Sequence, residues 1–227
     1  MKNRKKTRFK KAYWLLAGLA LLIVVFILLL LYRPGHYRPP ELTNDKQVSP
    51  YLTHELLPQL YNGSQLEEPF YLSVSQNGIN DIITRSKWPR QSEGINFCAP
   101  VVFFVPGAIV LMGKAGVRGA EFVVSVVVEP KFDDGGLLHL RLAKVKVGAV
   151  NITPLARVIG RRMYAERLAA KAIDKKDLRA QIATSLLYDE GFEPVFKVED
   201  KKLRAGKMTI EHEKMNIRLV PVLEREF

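Results

Sequence analysis

The sequence predicts an α+β fold: an N-terminal transmembrane helix followed by a bent antiparallel sheet packed on one long and one shorter helix. Three stretches carry that expectation. Tyr13 to Tyr32 is an uncharged run of twenty residues. Val117 to Glu129 alternates at the period of a strand and runs on to the turn Asp133-Asp134-Gly135-Gly136. Thr153-Pro154 then opens a segment whose apolar residues recur at helical spacing.

At about 1.5 Å per residue the first run spans roughly 30 Å as a helix, the thickness of a bilayer's hydrocarbon core. Lipid enforces the helix, because no solvent is present there to satisfy backbone amides and carbonyls. Tyr13, Trp14 and Tyr32 bracket the run with aromatic rings suited to the headgroup level. Residues 1–12 form a basic tail with Lys2, Arg4, Lys5, Lys6, Arg8, Lys10 and Lys11 and no acidic residue. That asymmetry predicts a single-pass signal-anchor in the cell membrane, with residues 13–32 spanning it, the N-terminus cytoplasmic and the remainder extracytoplasmic. A cleaved signal peptide fits less well. The apolar run exceeds the roughly 7–15 residues of a signal core, and Tyr-Arg-Pro-Gly-His offers no small-x-small cleavage site. The net charge is +12, but beyond the seven cations of the tail 28 basic residues face 23 acidic ones, leaving +5. The basicity therefore reports topology, and no nucleic-acid partner is expected. Cys98 stands alone, so no intrachain disulfide staples the fold.

Residues 33–50 hold four prolines and are expected to form a spacer lifting an extracytoplasmic domain, residues 51–227, off the membrane. Leu52, Leu56, Leu57 and Leu60 mark a short helix ending at Asn62-Gly63. Asn62-Gly63-Ser64 and Asn151-Ile152-Thr153 match the glycosylation sequon. Phe70 to Ser75 alternates as a strand, and Ile79, Ile82 and Ile83 place a short helix after it. Ile95 to Ala99, Val101 to Val105 and Ala108 to Met112 are short apolar strands broken by Pro100 and Pro106-Gly107. Gly113 to Gly119 has glycines and cations but neither P-loop spacing nor a following helix, so it is expected to be a flexible connection. After the Asp133-Gly136 turn, Leu138, Leu140 and Leu142 share one face while Val145 and Val147 have the other parity. A one-residue bulge near Ala143 would return all five to one side. In the main helix Thr153 is the expected cap. Leu155, Val158, Ile159, Met163, Ala169, Ala170 and Ile173 make the apolar side, and Arg157, Arg161, Tyr164, Arg167 and Lys171 the opposite one. Asp174 is the expected cap of a second helix reaching Tyr188, closed by Gly191. Strands at 195–198, 207–213 and 215–220 complete the chain.

Chemistry has no visible address. His36, His54, His139 and His212 are scattered, and Glu211-His212-Glu213 would alternate across a strand, so no metal site is expected. Asp133-Asp134 and Glu67-Glu68 fit a turn and a solvated loop, and no nucleophile motif is present. The expectation is a protein without catalytic residues or cofactors, not an enzyme. The stripe Arg157, Arg161, Arg167, Lys171 is either a solvated helix face or a contact for anionic headgroups. The strands between 95 and 128 are apolar on both faces, more than two helices can cover. That excess nominates Phe103, Phe104, Ile109, Leu111, Phe122, Val124, Val126 and Leu140 as the lining for an apolar ligand, against the competing reading of a dry sandwich-like core.

The strand-then-helix FYLSVSQNGINDII, the stretch FVVSVVVEPKFDDGGLLHLRLAKVKVGAVNITP and the closing GKMTIEHEKMNIRLVPV form a recognisable frame, firmest at Glu129-Pro130, Asp134-Gly135, Gly148 and Pro154. Over most of residues 70 to 220 it resembles the YpmS-like family of bacterial membrane-anchored proteins. The resemblance implies a domain similar to tubular lipid-binding modules, in which a curved sheet wraps a long helix around an apolar groove. It brings no catalytic residue. The expected function is non-catalytic binding of a lipid or another apolar envelope molecule. The alternative is a structural or scaffolding protein that docks another envelope protein through an apolar surface.

Overall fold

The computed structural model describes residues 3–35, 37–38, 48–92, 94–169 and 177–222. The apolar run is helical: α1 (Asn3–Leu30) contains Tyr13–Leu30, with mean hydropathy 2.9, long and apolar enough to cross a membrane. A π-helical stretch, Leu52–Leu56, leads into α2 (Leu57–Ser64), and β1 (Phe70–Ser75) runs straight into α3 (Gln76–Thr84). Ser75 makes that junction possible, since its hydroxyl accepts the Gly78 amide as the helix cap.

Two antiparallel sheets follow, where a single bent one was expected. The larger contains β2 (Arg90–Ser92), β3 (Ile95–Phe97), β4 (Val101–Val105), β5 (Ala108–Val117), β6 (Ala120–Phe132), β7 (Leu138–Val147) and β8 (Val150–Asn151). The expected flexible connection at 113–119 is strand as far as Val117, and only Arg118-Gly119 turns, both with positive φ. The smaller sheet joins β1 to β9 (Val195–Val198), β10 (Lys201–Glu211) and β11 (Lys214–Val222) in the order β1-β11-β10-β9. Its hairpin turns at His212-Glu213, so these residues do not alternate across a strand. Local periodicity says nothing of the pairing between Phe70 and Leu219, which only the folded chain brings together. The core lies between the sheets, where Leu72, Val74, Val102, Phe104, Leu203, Ala205, Ile210 and Leu219 are buried and Ile79 and Ile83 of α3 join them.

Along β6 and β7 the pairing steps from Val127↔Lys144 to Val128↔Leu142. Ala143 is the extra residue, the bulge that the change of parity predicts, and it aligns Leu138, Leu140, Leu142, Val145 and Val147 on one face.

The free edge of β4 and the stretch of β7 that β8 does not reach are covered mainly by side chains. At β4, the Asn80 amide nitrogen donates to the Val102 carbonyl at 2.9 Å and its oxygen accepts the Val102 amide at 2.7 Å, while Gln76 accepts the Phe104 amide. At β7, the work falls to α4 (Thr153–Ala169), α5 (Leu178–Tyr188) and Phe192. The Val145 amide donates to Thr153 Oγ1, the Leu142 carbonyl accepts from Arg157, the Leu140 amide donates to the buried Ser185 Oγ, and Leu138 exchanges two backbone bonds with Phe192. An uncovered edge would leave these groups unsatisfied or open to a foreign strand.

This duty turns α4 over relative to its amphipathic pattern. Arg157, Gly160, Arg161 and Tyr164 face β7 and α5, with Arg161 donating to the Leu187 carbonyl and Tyr164 bonded to Thr184. The expected buried stripe is outward: Leu155, Val158, Ile159 and Met163 are 55%, 65%, 48% and 38% exposed. Ala170, Ile173 and Asp174 lie outside the described residues. The cap of α5 is Asp177, which accepts the Arg179 amide, and the helix ends at Asp189 in the left-handed region rather than at Gly191.

His139 ties the β6–β7 turn to the end of α5. Its Nδ1 lies 3.2 Å from the Asp189 carbonyl and its Nε2 3.2 Å from Asp133 Oδ2. Both partners are acceptors, so only the imidazolium makes both bonds, and the Asp133 contact raises the His139 pKa above its ordinary value. The folded state then holds the proton more tightly than the unfolded chain. Its stabilisation is complete below the unfolded value of about 6.5 and is lost as pH rises through the raised folded value. A pH series of thermal melts should show Tm falling across that window, and His139→Gln should flatten the slope. At the β7 edge, Ser185→Ala leaves the Leu140 amide unpaired and should cost about 1–3 kcal/mol in denaturant unfolding.

Candidate functional site

The end of α1 does not stand clear of the domain. Helix C-termini leave carbonyls without intrahelical partners, and here the Leu29 carbonyl accepts the Ala149 amide at 2.8 Å. Gly148 makes the approach possible. Its φ is +58°, and a Cβ there would fall 2.3 Å from the Leu30 carbonyl oxygen and 2.4 Å from that of Leu29. The β7–β8 turn thus sits at the level of the last turn of the apolar helix.

The chain leaving α1 then climbs the outer face of the larger sheet. Arg33 pairs with Glu121 at 3.2 Å, and Lys114 reaches the same carboxylate at 3.0 Å. The Lys114 bond, with Arg33 adding to it, holds the Glu121 pKa below its usual range. Tyr37 is buried against Met112 and Val123, with Val101, Phe103 and Val110 around them. Its hydroxyl has no hydrogen-bond partner among the described residues, and burial pushes its pKa up. The segment from Arg33 to Tyr37 therefore packs on the domain as far as it is described, and residues 36 and 39–47 of the expected spacer lie outside the described residues.

Between this ascending segment and the sheet lies a cleft of about 340 Å³. Strand register builds its floor as two rows across three strands, Val110–Val127–Lys144 and Met112–Ser125–Lys146. Tyr32, Pro34 and Gly35 wall one side, and Gly148 and Ala149 close the end nearest the apolar helix. A larger cleft, about 500 Å³, lies between α4 and α5, with Tyr164, Leu168, Tyr188 and Phe192 beside Glu190 and Glu193. A third, about 430 Å³, is lined by Leu57, Pro58, Leu60, Tyr61 and Val198.

None of these three clefts is lined by the eight residues nominated from sequence. Phe104, Ile109, Leu111, Phe122, Val124, Val126 and Leu140 share the inner face of the larger sheet. There Phe104 is buried and Ile109 and Leu111 pack against the core between the sheets, so part of the apolar excess is absorbed by the second sheet. Phe122, Val124, Val126 and Leu140 remain half-buried. Phe103 lies on the opposite face, next to the cluster of Tyr37. Of the four nominated cations, Arg157 and Arg161 point inward onto carbonyls, Arg161 also lying over the Tyr188 ring. The side chain of Arg167 and the whole of Lys171 lie outside the described residues.

Val110, Met112, Val127, Lys144 and Lys146 escaped the sequence reading. A signal for the lysines was available. Once Ala143 is taken as a bulge, Lys144 and Lys146 fall together on the face opposite the whole apolar set from Leu138 to Val147. Nothing in the sequence brings Tyr32 to Gly35 over them.

Among the described residues no group of three or more His, Cys, Asp or Glu side chains is placed to hold a metal ion. Comparison with protein families, with curated proteins and with solved structures finds no significant match to this chain.

Gly148→Ala would place a methyl group against two helix carbonyls in a left-handed conformation. It should destabilise the full chain by about 1–3 kcal/mol and speed hydrogen exchange at the Ala149 amide, with Ala149→Gly as the control that keeps the amide bond.

Proposed function

We propose that this chain is a single-pass membrane protein, N-terminus cytoplasmic, whose extracytoplasmic domain binds a lipid or another apolar envelope molecule without catalysis. The observation that carries this reading is the cleft at the root of the anchor. Its apolar floor of Val110, Met112 and Val127 opens beside Tyr32 and the 148–149 turn, at the depth where a bilayer's headgroups begin. A lipid drawn partly out of the leaflet could lay its glycerol region and upper acyl chain along that floor while its tail stays in the bilayer. Such a site needs no general base, nucleophile or metal. The resemblance to the YpmS-like family and its lipid-binding-module architecture belongs to the same reading.

A second reading, a scaffold docking another envelope protein, is favoured by one feature: the outward stripe of Leu155, Val158, Ile159 and Met163 on α4. Crosslinking separates the two. With the full chain in nanodiscs containing a diazirine-bearing phospholipid, label is expected on the peptides of residues 109–112, 125–127 and 144–149. Label confined to residues 13–32 would overturn lipid binding by the domain. A lipid-free oligomer crosslinked through α4, abolished by Val158→Lys, would establish the scaffold instead.

A further inference from the structure

Among the described residues, Lys144 and Lys146 are the only charged side chains on the floor of the root cleft, and neither has an acidic partner. Their neighbours differ: Arg33 and Lys114 both converge on Glu121. Two positions apart on one strand face, the two lysines stand about 7 Å apart at the backbone, close enough for both ammonium groups to reach one small anion. Left without a counter-ion, they repel each other. Uncharged neighbours complete the surface, Ser125 beside Lys146 and Val127 beside Lys144.

We propose that this cleft selects an anionic phospholipid, with Lys144 and Lys146 binding its phosphate and Val110, Met112 and Val127 receiving the apolar part beside it. The assignment rests on the preceding reading, that the cleft takes a lipid, and names the class of that lipid. Three constraints converge on it. The cation pair is unneutralised, the floor next to it is apolar, and the Ala149–Leu29 bond fixes both at the depth of the anchor's end. A soluble phosphate would use the lysines but gain nothing from the valines. A neutral apolar molecule would use the valines but leave the lysines unpaired. The nominated headgroup contacts on α4 are poorer candidates, because Arg157 and Arg161 already serve the Leu142 and Leu187 carbonyls.

The test uses the full chain in nanodiscs of phosphatidylcholine with a minority of phosphatidylglycerol, followed by mild detergent release and native mass spectrometry. Phosphatidylglycerol should be retained in preference to phosphatidylcholine. The double variant Lys144→Gln/Lys146→Gln should lose that preference by roughly thirty-fold at low salt, while Lys144→Arg/Lys146→Arg keeps it and total phosphatidylcholine retention is unchanged. Lys144 is exposed and Lys146 half-buried on the outer face, and the single Lys144→Gln variant, expected to lose about half of the effect in logarithmic terms, guards against misfolding of the pair. An undiminished preference in the double glutamine variant overturns the headgroup assignment and leaves the cleft as a lipid site. Retention of no lipid at all by the native chain overturns both readings. Displacement of the retained lipid by millimolar inorganic phosphate, with phosphate bound in its place, assigns the lysines to free phosphate and overturns the lipid.

Discussion

The backbone of β7 is the constraint from which most of this architecture follows. One side of the strand is paired with β6 apart from the bulge at Ala143, but among the described residues no strand beyond the short β8 reaches its other side. Buried amides and carbonyls left there would each cost more than a typical side-chain contact returns. Thr153, Arg157, Ser185 and Phe192 supply the missing partners one position at a time, and supplying them fixes where α4, α5 and the 192 segment sit. The same strand turns at Gly148-Ala149 to meet the end of α1 and carries the two lysines of the root cleft on its outer face. Edge, anchor contact and cleft are consequences of one strand's position.

That constraint also explains the inverted helix. Amphipathic patterning assumes that burying the apolar stripe is the largest available gain. Along α4 the other side offers hydrogen-bond donors to an open edge, a glycine that lets Leu187 approach, and a tyrosine that bonds Thr184. Those contacts orient the helix, and the stripe from Leu155 to Met163 faces outward. The core loses little by it, because the β1-β11-β10-β9 sheet covers Phe104, Ile109 and Leu111 from the other layer.

The end of the apolar helix is seated on the domain. A Pro-rich segment after a membrane helix usually acts as a tether of variable reach. Here the helix end is bonded to Ala149, Arg33 is paired with Glu121, and Tyr37 is buried against Met112 and Val123. Three contacts of different kinds, made by Leu29, Arg33 and Tyr37, hold the described parts of this segment against the sheet. The same contacts set an apolar floor with two cations directly beside the end of the apolar helix.

By itself the sequence determined what short-range physics controls: the existence and apolarity of the first helix, though not its start at Asn3, the strands at Phe70–Ser75 and Val101–Val105, the hairpin at Asp133-Gly136, and the bulge at Ala143 read from a change of parity alone. Each depends on spacing within about twenty residues, where composition, periodicity and turn chemistry are decisive. Tertiary structure alone decided that β1 pairs with β11, that α4 serves an edge instead of a core, and that Tyr32 to Gly35 and Tyr37 lie over the outer face of the sheet. These outcomes turn on backbone groups and surfaces brought together from distant parts of the chain. The competition among them, for hydrogen bonds and for burial, has no local signature in a string of residues.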